Sequence, residues 1–279
     1  MKTDFGFDDT MILFTDLDGT LFDDDKKVSR KILRELGVMT DAGHRIVLAT
    51  GRPLYSAKVV AEELGLYRDG VYLMASNGGV LFDCLKEEII SSHTLPMDVV
   101  KDVFSAAAEE GLHVQTYTDS HVVALRETEE IREYCKRIKM PYRILSAIPD
   151  ELPAPPPKVI VICKKEGSRG ILEDFERRHA QLVEGRAQSV FSSDILLEYI
   201  PLEVSKGIAL VQLCNILDIP VGNSVAVGDE ANDIPMLDAA GIAVVMKNGT
   251  QAAKSHADYI TERTNNEDGI SEVLERYFI

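Results

Sequence analysis

Short apolar runs alternate with amphipathic stretches through the first third of the chain. MILFTD, RIVLATG and VYLMAS are the apolar runs, and the amphipathic stretches between them are SRKILRELGVMTDAG and PLYSAKVVAEELG. The last third returns to this alternation with KGIALVQLCNILD, SVAVGDE, IPMLDAAG, IAVVM and ISEVLERYF. Strand and helix patterns in alternation predict a parallel sheet with helices on its faces. SNGG, at 76–79, separates two apolar runs and predicts a hairpin turn.

The middle of the chain has a different pattern. Predicted helices are DVVKDVFSAAAEEG, EEIREYCKRIK and RGILEDFERRHA, and predicted strands are HVQTYT, VVAL, KVIVICK, and LVEGRA through ILLEYI. Adjacent strands with few crossovers indicate a mixed or antiparallel sheet, hence a separate α+β unit. The proline-rich IPDELPAPPP is expected to form a loop that enters the strand at Lys158. We therefore predict a doubly wound, mainly parallel α/β core made of 1–85 and 196–279, interrupted by an inserted α+β domain at 86–195.

Composition and charge exclude several classes of function. The formal net charge of −16 argues against broad contact with nucleic acid or anionic lipid, which relies on clustered Lys and Arg, so an anionic ligand needs a local positive site. No apolar run approaches the length of a membrane span, and the acidic N-terminus MKTDFGFDDT lacks the features of a secretory signal, so a cytoplasmic location is expected. The four cysteines are far apart and the histidines lack ligand spacing, which disfavours disulfides and zinc.

Five aspartates crowd the segment FTDLDGTLFDDD, directly after the first apolar run. Two like charges about 4 Å apart repel by roughly 4 kcal/mol at an effective dielectric near 20, so a bound cation is expected, and oxygen ligands favour Mg²⁺ or Ca²⁺. A calcium-binding EF-hand is excluded, because Leu21 occupies its glycine position and Lys27 its closing glutamate position. The three acids at 23–25 fit a solvated loop and helix cap, whereas Asp16 and Asp18 lie where the strand ends.

A second strand end offers hydroxyl and amide donors. The strand HRIVLAT ends in Thr50 and Gly51, and Arg52 and Pro53 follow. Because proline suits the first turn of a helix, the N–H groups near Thr50 and Gly51 are expected at a helix start, which is a natural site for an anion. Thr50 by itself is equally well explained as a helix cap.

Two more segments supply a lysine and further acids. In EVSKGIALVQL, Ser205 is the expected cap, which places Lys206 in the first helical turn, where a cation opposes the helix dipole.

Asp229 follows the buried strand SVAVG and should emerge at the same sheet edge as Asp16. Asn232 and Asp233 open the next helix, and Asp233 considered by itself is best explained as a helix cap. Carboxylates around a cation, with one lysine and several donors, are the parts that phosphoryl transfer needs.

The ordered motifs DLDGT, LATGR, SKG and GDEANDIPML closely resemble the haloacid dehalogenase (HAD) superfamily, particularly the Cof-type (subfamily IIB) phosphatases with a large α/β cap. The resemblance covers nearly the whole chain, including NNEDGI near the C-terminus. It implies that 86–195 is a cap domain that supplies substrate specificity. It also implies that Asp16 is the nucleophile that forms an aspartyl-phosphate, and that Asp18 is the acid/base.

The remaining roles that the resemblance implies concern metal and phosphate. Mg²⁺ would be held by Asp229, the Asp16 side chain and the Asp18 backbone carbonyl, with Asp233 as a ligand or close support. The expected phosphate-binding residues are Thr50, Gly51, Lys206 and Asn232, and the expected cleft positions of less certain role are Arg52 and Asn77. Two departures from the common pattern, Glu230 and MKNG at 246–249, leave every catalytic group in place but could alter the rim.

The leading hypothesis is a Mg²⁺-dependent phosphatase acting on a small phosphorylated metabolite, such as a sugar phosphate or a phosphorylated cofactor like pyridoxal phosphate or FMN. Two alternatives stay open: a phosphomutase of the same fold, and a non-catalytic regulator that binds a phosphometabolite. The physiological substrate, the protein partners and the oligomeric state cannot be derived from the sequence.

Overall fold

A computed structural model describes residues 10–279, and its strands are short, as is usual for a layered α/β protein. They are β1 Ile12–Thr15, β2 Arg45–Ala49, β3 Val71–Ala75, β4 Val80–Asp83, β5 Glu88–Ser92, β6 His113–Tyr117, β7 Val122–Ala124, β8 Tyr142–Ile144, β9 Val159–Ile162, β10 Ala187–Ser193, β11 Leu196–Pro201, β12 Ser224–Gly228, β13 Ile242–Val245 and β14 Tyr259–Ile260. The α-helices are α1 Arg30–Asp41, α2 Leu54–Glu63, α3 Met97–Glu109, α4 Glu129–Ile138, α5 Ser168–His179, α6 Lys206–Ile216, α7 Ile234–Ala239, α8 Gln251–Lys254 and α9 Gly269–Tyr277.

The chain divides into two compact units. The first comprises the described residues through Gly51 together with Val60–Ser91 and Ser205–Ile279, and the second comprises Arg52–Val59 and Ser92–Val204. The domain limits derived from the sequence, after residues 85 and 195, stay a prediction. The acidic segment that was expected to lack a secretory signal lies mostly in residues 1–9, which are outside the described residues.

The first unit is built on an eight-stranded sheet in the order β14-β13-β12-β1-β2-β3-β4-β5. Its strands from β14 to β3 pair in parallel, and β3 and β4 form the antiparallel hairpin that SNGG predicts. Strand β1 is fully buried: Ile12 and Phe14 belong to a core cluster that includes Leu210 and Leu213 of α6, and Leu13 is also inaccessible. A strand covered on both faces reads as a continuous apolar run, which explains MILF. The expected mainly parallel α/β core is confirmed.

The second unit contains a six-stranded sheet in the order β10-β11-β9-β6-β7-β8. Its pairs are antiparallel except for β7 with β8. Successive residues of β9 face opposite sides of the sheet. Val159 and Val161 belong to a core cluster that includes residues of α3 and α5. Ile160 and Ile162 belong to another cluster, which includes residues of α4. The mixed α+β unit expected from the sequence is present.

One face of this second sheet carries a buried ion pair. Lys158 Nζ lies 2.8 Å from Glu198 Oε2, and the two side chains are 0% and 3% exposed. Ser192 Oγ donates to the other oxygen of Glu198 at 2.7 Å, and Lys158 Nζ lies 5.6 Å from the centroid of the Tyr117 ring. A buried pair of this kind requires both partners, because either charge alone would be left desolvated.

Four strands differ from the sequence prediction. The segment LVEGRA forms turns, and the strand begins only at Ala187, because Gly185 adopts φ +68° and interrupts the extended chain. Strands β5, β8 and β14 were not predicted. All three are edge strands with partly or largely accessible side chains, so none carries the apolar run that is typical of a buried strand.

Within residues 10–279, none of the helices combines the length and the apolar character that crossing a bilayer would require.

Candidate active site

The carboxyl end of β1 supplies the first acid of the site. Asp16 directly follows β1, is 7% exposed, and its N–H donates to the carbonyl of Val227 in β12. Parallel pairing of β1 with β12 therefore brings the end of one strand beside the end of the other, as the sheet-edge rule predicts. Asp229, two residues beyond Val227, lies at this edge and is also 7% exposed.

The turn after Asp16 packs tightly against Asp229. Thr20 Oγ1 donates to Asp229 Oδ1 at 2.8 Å. Gly19 has φ +88°, and a Cβ placed on it would lie 2.4 Å from Asp229 Oδ2. Only glycine combines this left-handed backbone with the absence of a side chain. The DGT motif therefore fixes the Asp229 carboxylate from two sides.

Lys206 is the cation of this cluster. The cap at Ser205, whose side chain accepts from the N–H of Ile208, starts α6 at Lys206 as predicted. Lys206 Nζ lies 2.5 Å from Asp16 Oδ1 and 2.5 Å from Asp233 Oδ1, and its side chain is wholly buried. Burial alone would lower the pKa of Lys206, but the Asp16 and Asp233 carboxylates raise it above its ordinary value, so the ammonium keeps its charge.

Asp233 uses both carboxylate oxygens within the protein. Oδ1 contacts Lys206, and Oδ2 accepts from the backbone N–H groups of Asp229 and Glu230 at 2.9 and 3.1 Å. The Glu230 side chain in turn caps the turn that contains Asp233, so the two residues form a reciprocal capping box. Asp233 thus lies at the start of α7, as the sequence predicts, and is also a partner of Lys206, which the sequence did not indicate. Glu230 has a structural role in this turn.

Burial and mutual repulsion act on the acids together. Burial raises the pKa of Asp16 well above its ordinary value; Lys206 opposes the rise, and Asp233 and Asp229 add to it. Burial likewise raises the pKa of Asp229 to about 7, Asp233 adds to the rise, and the hydrogen bond from Thr20 opposes it. Three carboxylates around one lysine leave an excess of negative charge in a buried place.

This donor set fits a hard divalent cation. Asp16, Asp229 and Asp233 each present an oxygen, and these atoms lie within 4.8 Å of one another. All three residues are buried, and oxygen-only donors match the preference of Mg²⁺. The residues present therefore fit the Mg²⁺ that the sequence predicts.

The expected phosphate-binding residues share a second set of contacts in the same unit. Thr50 follows β2, is 2% exposed, and its carbonyl accepts from the N–H of Asn77 at 3.1 Å. Asn232 Nδ2 donates to Asn77 Oδ1 at 3.2 Å, and a Cβ on Gly51 would lie 3.1 Å from that same oxygen. The structure thus brings Thr50, Gly51, Asn77 and Asn232 together.

Two further expected site residues are Asp18 and Arg52. The Asp18 side chain is 40% exposed and pairs with Lys26, whose Nζ lies 2.9 Å from Asp18 Oδ1. Arg52 is buried but belongs to the Arg52–Val59 segment of the second unit.

Sequence reasoning missed four residues that hold the turn after β1, directly or through one another. Besides Thr20 and Lys26, Asn248 Nδ2 donates to the carbonyl of Gly19 at 2.7 Å, and Asn248 Oδ1 accepts from the N–H of Asn265. The signal for Thr20 was its place in DLDGT, and the signals for Asn248 and Asn265 were MKNG and NNEDGI. No sequence signal distinguishes Lys26, because the next residue, Lys27, is also a lysine.

Comparisons with known proteins find relatives along nearly the whole chain. A family model described as haloacid dehalogenase-like hydrolase matches residues 13–274. The 5-amino-6-(5-phospho-D-ribitylamino)uracil phosphatase YitU of Bacillus subtilis is 27% identical over 268 residues, which covers 96% of this chain and 97% of that protein. A haloacid dehalogenase-like hydrolase from Bacteroides thetaiotaomicron has a TM-score of 0.88 at 29% identity, covering 96% of this chain and 100% of that one.

A further solved structure supports the fold alone. The HAD subclass IIB sugar phosphatase BT4131 has a TM-score of 0.82 at 20% identity, covering 96% of this chain and 99% of that one. With the family model spanning nearly all described residues, the chain belongs to the haloacid dehalogenase-like hydrolases, and within them to the Cof-type group that its four motifs predict.

Proposed function

We propose that this hydrolase is a Mg²⁺-dependent phosphatase that cleaves the phosphate ester of a small metabolite through an aspartyl-phosphate on Asp16. The observation that carries the proposal is the buried cluster of Asp16, Asp229 and Asp233 around the ammonium of Lys206. A purely structural cluster would gain little from three acids and one base, since burying unbalanced charge is costly.

Two aspartates would carry the covalent chemistry. A carboxylate oxygen of Asp16 attacks phosphorus and forms the acyl phosphate, while the bond from phosphorus to the ester oxygen breaks and that oxygen takes a proton from Asp18. Asp18, now ionised, removes a proton from water as the water oxygen attacks phosphorus and the bond from phosphorus to the Asp16 oxygen breaks. Release of inorganic phosphate leaves Asp16 as the free carboxylate and Asp18 as the protonated acid. The partial exposure of Asp18 suits a group that must meet the leaving oxygen and then water.

Asp16 and Asp229 would hold the Mg²⁺ together with the backbone carbonyl of Asp18. Asp233 would support them, because both of its oxygens already accept from Lys206 and from backbone N–H groups. When bound, the ion neutralises charge on the phosphoryl oxygens and on the acids that surround it.

The phosphoryl group would be bound by residues from three chain segments. Lys206 supplies the fixed positive charge, Thr50 and Gly51 supply hydroxyl and backbone donors, and Asn232 supplies an amide. Donors set in advance around the equatorial oxygens account for most of the catalysis in phosphoryl transfer.

The relatives guide the choice of substrates. YitU is named for a phosphorylated ribitylaminouracil, and BT4131 is named a sugar phosphatase. We infer a phosphorylated sugar, sugar alcohol or cofactor as the substrate class. We assign substrate recognition to the second unit, as the cap of the predicted domain organisation, and Arg52 is a candidate contributor from that unit.

The test is phosphate release by the purified full chain from para-nitrophenyl phosphate and from a panel of phosphorylated metabolites, with added Mg²⁺ or with a chelator. We expect Mg²⁺-dependent release, and Asp16→Asn should lower kcat by roughly a thousandfold or more, as loss of a nucleophile does. Asp25→Asn, at an exposed acid of the same segment, is the matched control and should keep full activity.

Three outcomes would redirect the proposal. Release that Asp16→Asn leaves unchanged would remove the covalent mechanism. Isomerised sugar phosphate without free phosphate would favour the phosphomutase alternative. Tight binding of a phosphometabolite without turnover by the wild-type protein would favour the non-catalytic regulator.

A further inference from the structure

The turn that joins β3 to β4 has an unusual backbone for its position in the first unit. Ser76, Asn77 and Gly78 have φ of 52°, 58° and 95°, so three successive residues are left-handed, and two of them are not glycine. All three are buried. Left-handed non-glycine residues carry a conformational cost that surrounding contacts must offset.

The contacts of this turn reach three of the segments assigned to phosphate binding. The N–H of Asn77 donates to the Thr50 carbonyl at 3.1 Å, and Asn77 Oδ1 accepts from Asn232 Nδ2 at 3.2 Å. Gly78 lies against the start of α6, since a Cβ placed on it would be 2.4 Å from the carbonyl oxygen of Ser205, the residue before Lys206. One buried turn therefore contacts the end of β2, the start of α6 and the segment after β12.

We propose that Asn77 is a positioning residue, which fixes the Thr50 carbonyl with its backbone and the Asn232 amide with its side chain. This inference rests on the proposed function, because it assigns Asn77 a part in arranging the groups that bind the phosphoryl oxygens. A simple hairpin role would need only the left-handed backbone, which an Asn-Gly pair supplies in many turns. The positioning role also needs the Oδ1 acceptor.

Asn77→Gly separates these two roles. Glycine adopts φ near +58° without strain, so the turn is kept, while the acceptor for Asn232 is removed. We expect kcat/KM for para-nitrophenyl phosphate to fall by about 10-fold to 100-fold, mostly through kcat, since small displacements of groups that meet the transition state are costly. The affinity for inorganic phosphate, measured by calorimetry with Mg²⁺ present, should also fall.

The matched control is Asp218→Gly. Asp218 is likewise a non-glycine residue with a left-handed backbone, at φ 54°, in the same unit, but it is exposed and follows the end of α6. Its replacement should change neither kcat/KM nor phosphate affinity.

A double-mutant cycle with Asn232→Ala gives the specific readout. If Asn77 acts through Asn232, Asn77→Gly should lower kcat/KM much less in the Asn232→Ala background than in the wild type. If Asn77→Gly does not fold, Asn77→Ala, which also removes the acceptor, is measured in the same cycle with Asn232→Ala.

The outcomes separate this inference from the proposed function. An active wild type with an equally active Asn77→Gly variant, or with fully additive effects of the two substitutions, overturns the positioning role alone. A wild type that neither releases phosphate nor binds inorganic phosphate overturns the proposed function and the positioning role with it.

Discussion

Lys26 Nζ lies 2.9 Å from Asp18 Oδ1, in the turn that follows β1. Lys26 has φ +62°, and its N–H donates to the carbonyl of Asp23, so a tight turn delivers the ammonium to the carboxylate. The lysine is thus placed to orient the group proposed as acid and base.

Replacing Lys26 with methionine should affect activity more than stability. Both side chains of the pair are nearly half exposed, so the pair contributes less than about 1 kcal/mol to the free energy of unfolding. We expect kcat/KM to fall by about threefold to tenfold, a small part of the roughly 10²- to 10⁴-fold that a positioned acid/base group supplies. Steady-state kinetics of Lys26→Met checks this. Lys27→Met, at a more exposed lysine that pairs with Asp25, is the control, and equal effects of the two would contradict the assignment.

Lys206 is expected to be essential for stability as well as activity. Lys206→Met leaves the buried Asp16 and Asp233 carboxylates without their ammonium, and breaking a buried pair by removing one partner costs about 3–5 kcal/mol. Urea unfolding followed by circular dichroism measures the loss; the chain contains no tryptophan for a fluorescence probe. Lys101→Met, at an exposed lysine of α3, should leave the free energy of unfolding unchanged. A fully stable Lys206→Met would show that the carboxylates are not held by this charge.

The Lys158–Glu198 pair of the second unit should depend on both partners. Lys158→Met leaves Glu198 buried and without its ammonium, and we expect a loss of about 3–5 kcal/mol in the free energy of unfolding. Lys158→Met combined with Glu198→Leu removes both charges and should recover much of that loss. The coupling between the two substitutions, obtained from urea unfolding of the four proteins, is the measurement. Additive losses would mean that the two side chains contribute independently.

The pKa of His113 determines one contribution to how the stability of the second unit changes with pH. Burial lowers the pKa of His113 below its ordinary value of 6.5; the Gln115 hydrogen bond and Glu130 oppose the shift, and Arg126 adds to it. Between the folded-state pKa of His113 and about pH 6.5, the folded state therefore binds fewer protons than the unfolded state. The free energy of unfolding rises with pH there. The contribution is fully present above about pH 6.5 and is lost as pH falls through the folded-state pKa.

The contacts of His113 allow a clean variant. With Nε2 protonated, the neutral ring donates to Gln115 Oε1 at 3.0 Å and accepts the Thr128 hydroxyl at Nδ1 at 2.9 Å. His113→Gln should flatten the dependence of the unfolding free energy on pH between about 5 and 7. His121→Gln, at a histidine whose ring contacts the exposed Ser120, should leave the profile unchanged. An unaltered profile in His113→Gln would assign the pH dependence to other groups.

The sequence predicted those parts of the site that depend on where a strand ends or a helix begins. Asp16 and Asp229 meet because carboxyl ends of parallel strands share an edge, and Lys206 starts a helix because Ser205 caps it. Lys26 could not be predicted, because its partner depends on a left-handed turn whose sequence carries no glycine. The contacts of Asn77 with Thr50 and Asn232 could not be predicted either. The NG pair indicates a turn but does not indicate which residues pack against it.

Strand β1 lies between β2 and β12 in the sheet, and this has a consequence for synthesis on the ribosome. The nascent chain makes β1, β2 and the entire second unit before Ser224 begins β12. Until then the apolar edge of β1 that β12 will cover has no native neighbour, and exposed strand edges invite pairing with other chains. Asp16 likewise has neither its Lys206 partner nor the neighbouring Asp229 carboxylate until both of those residues have been synthesised.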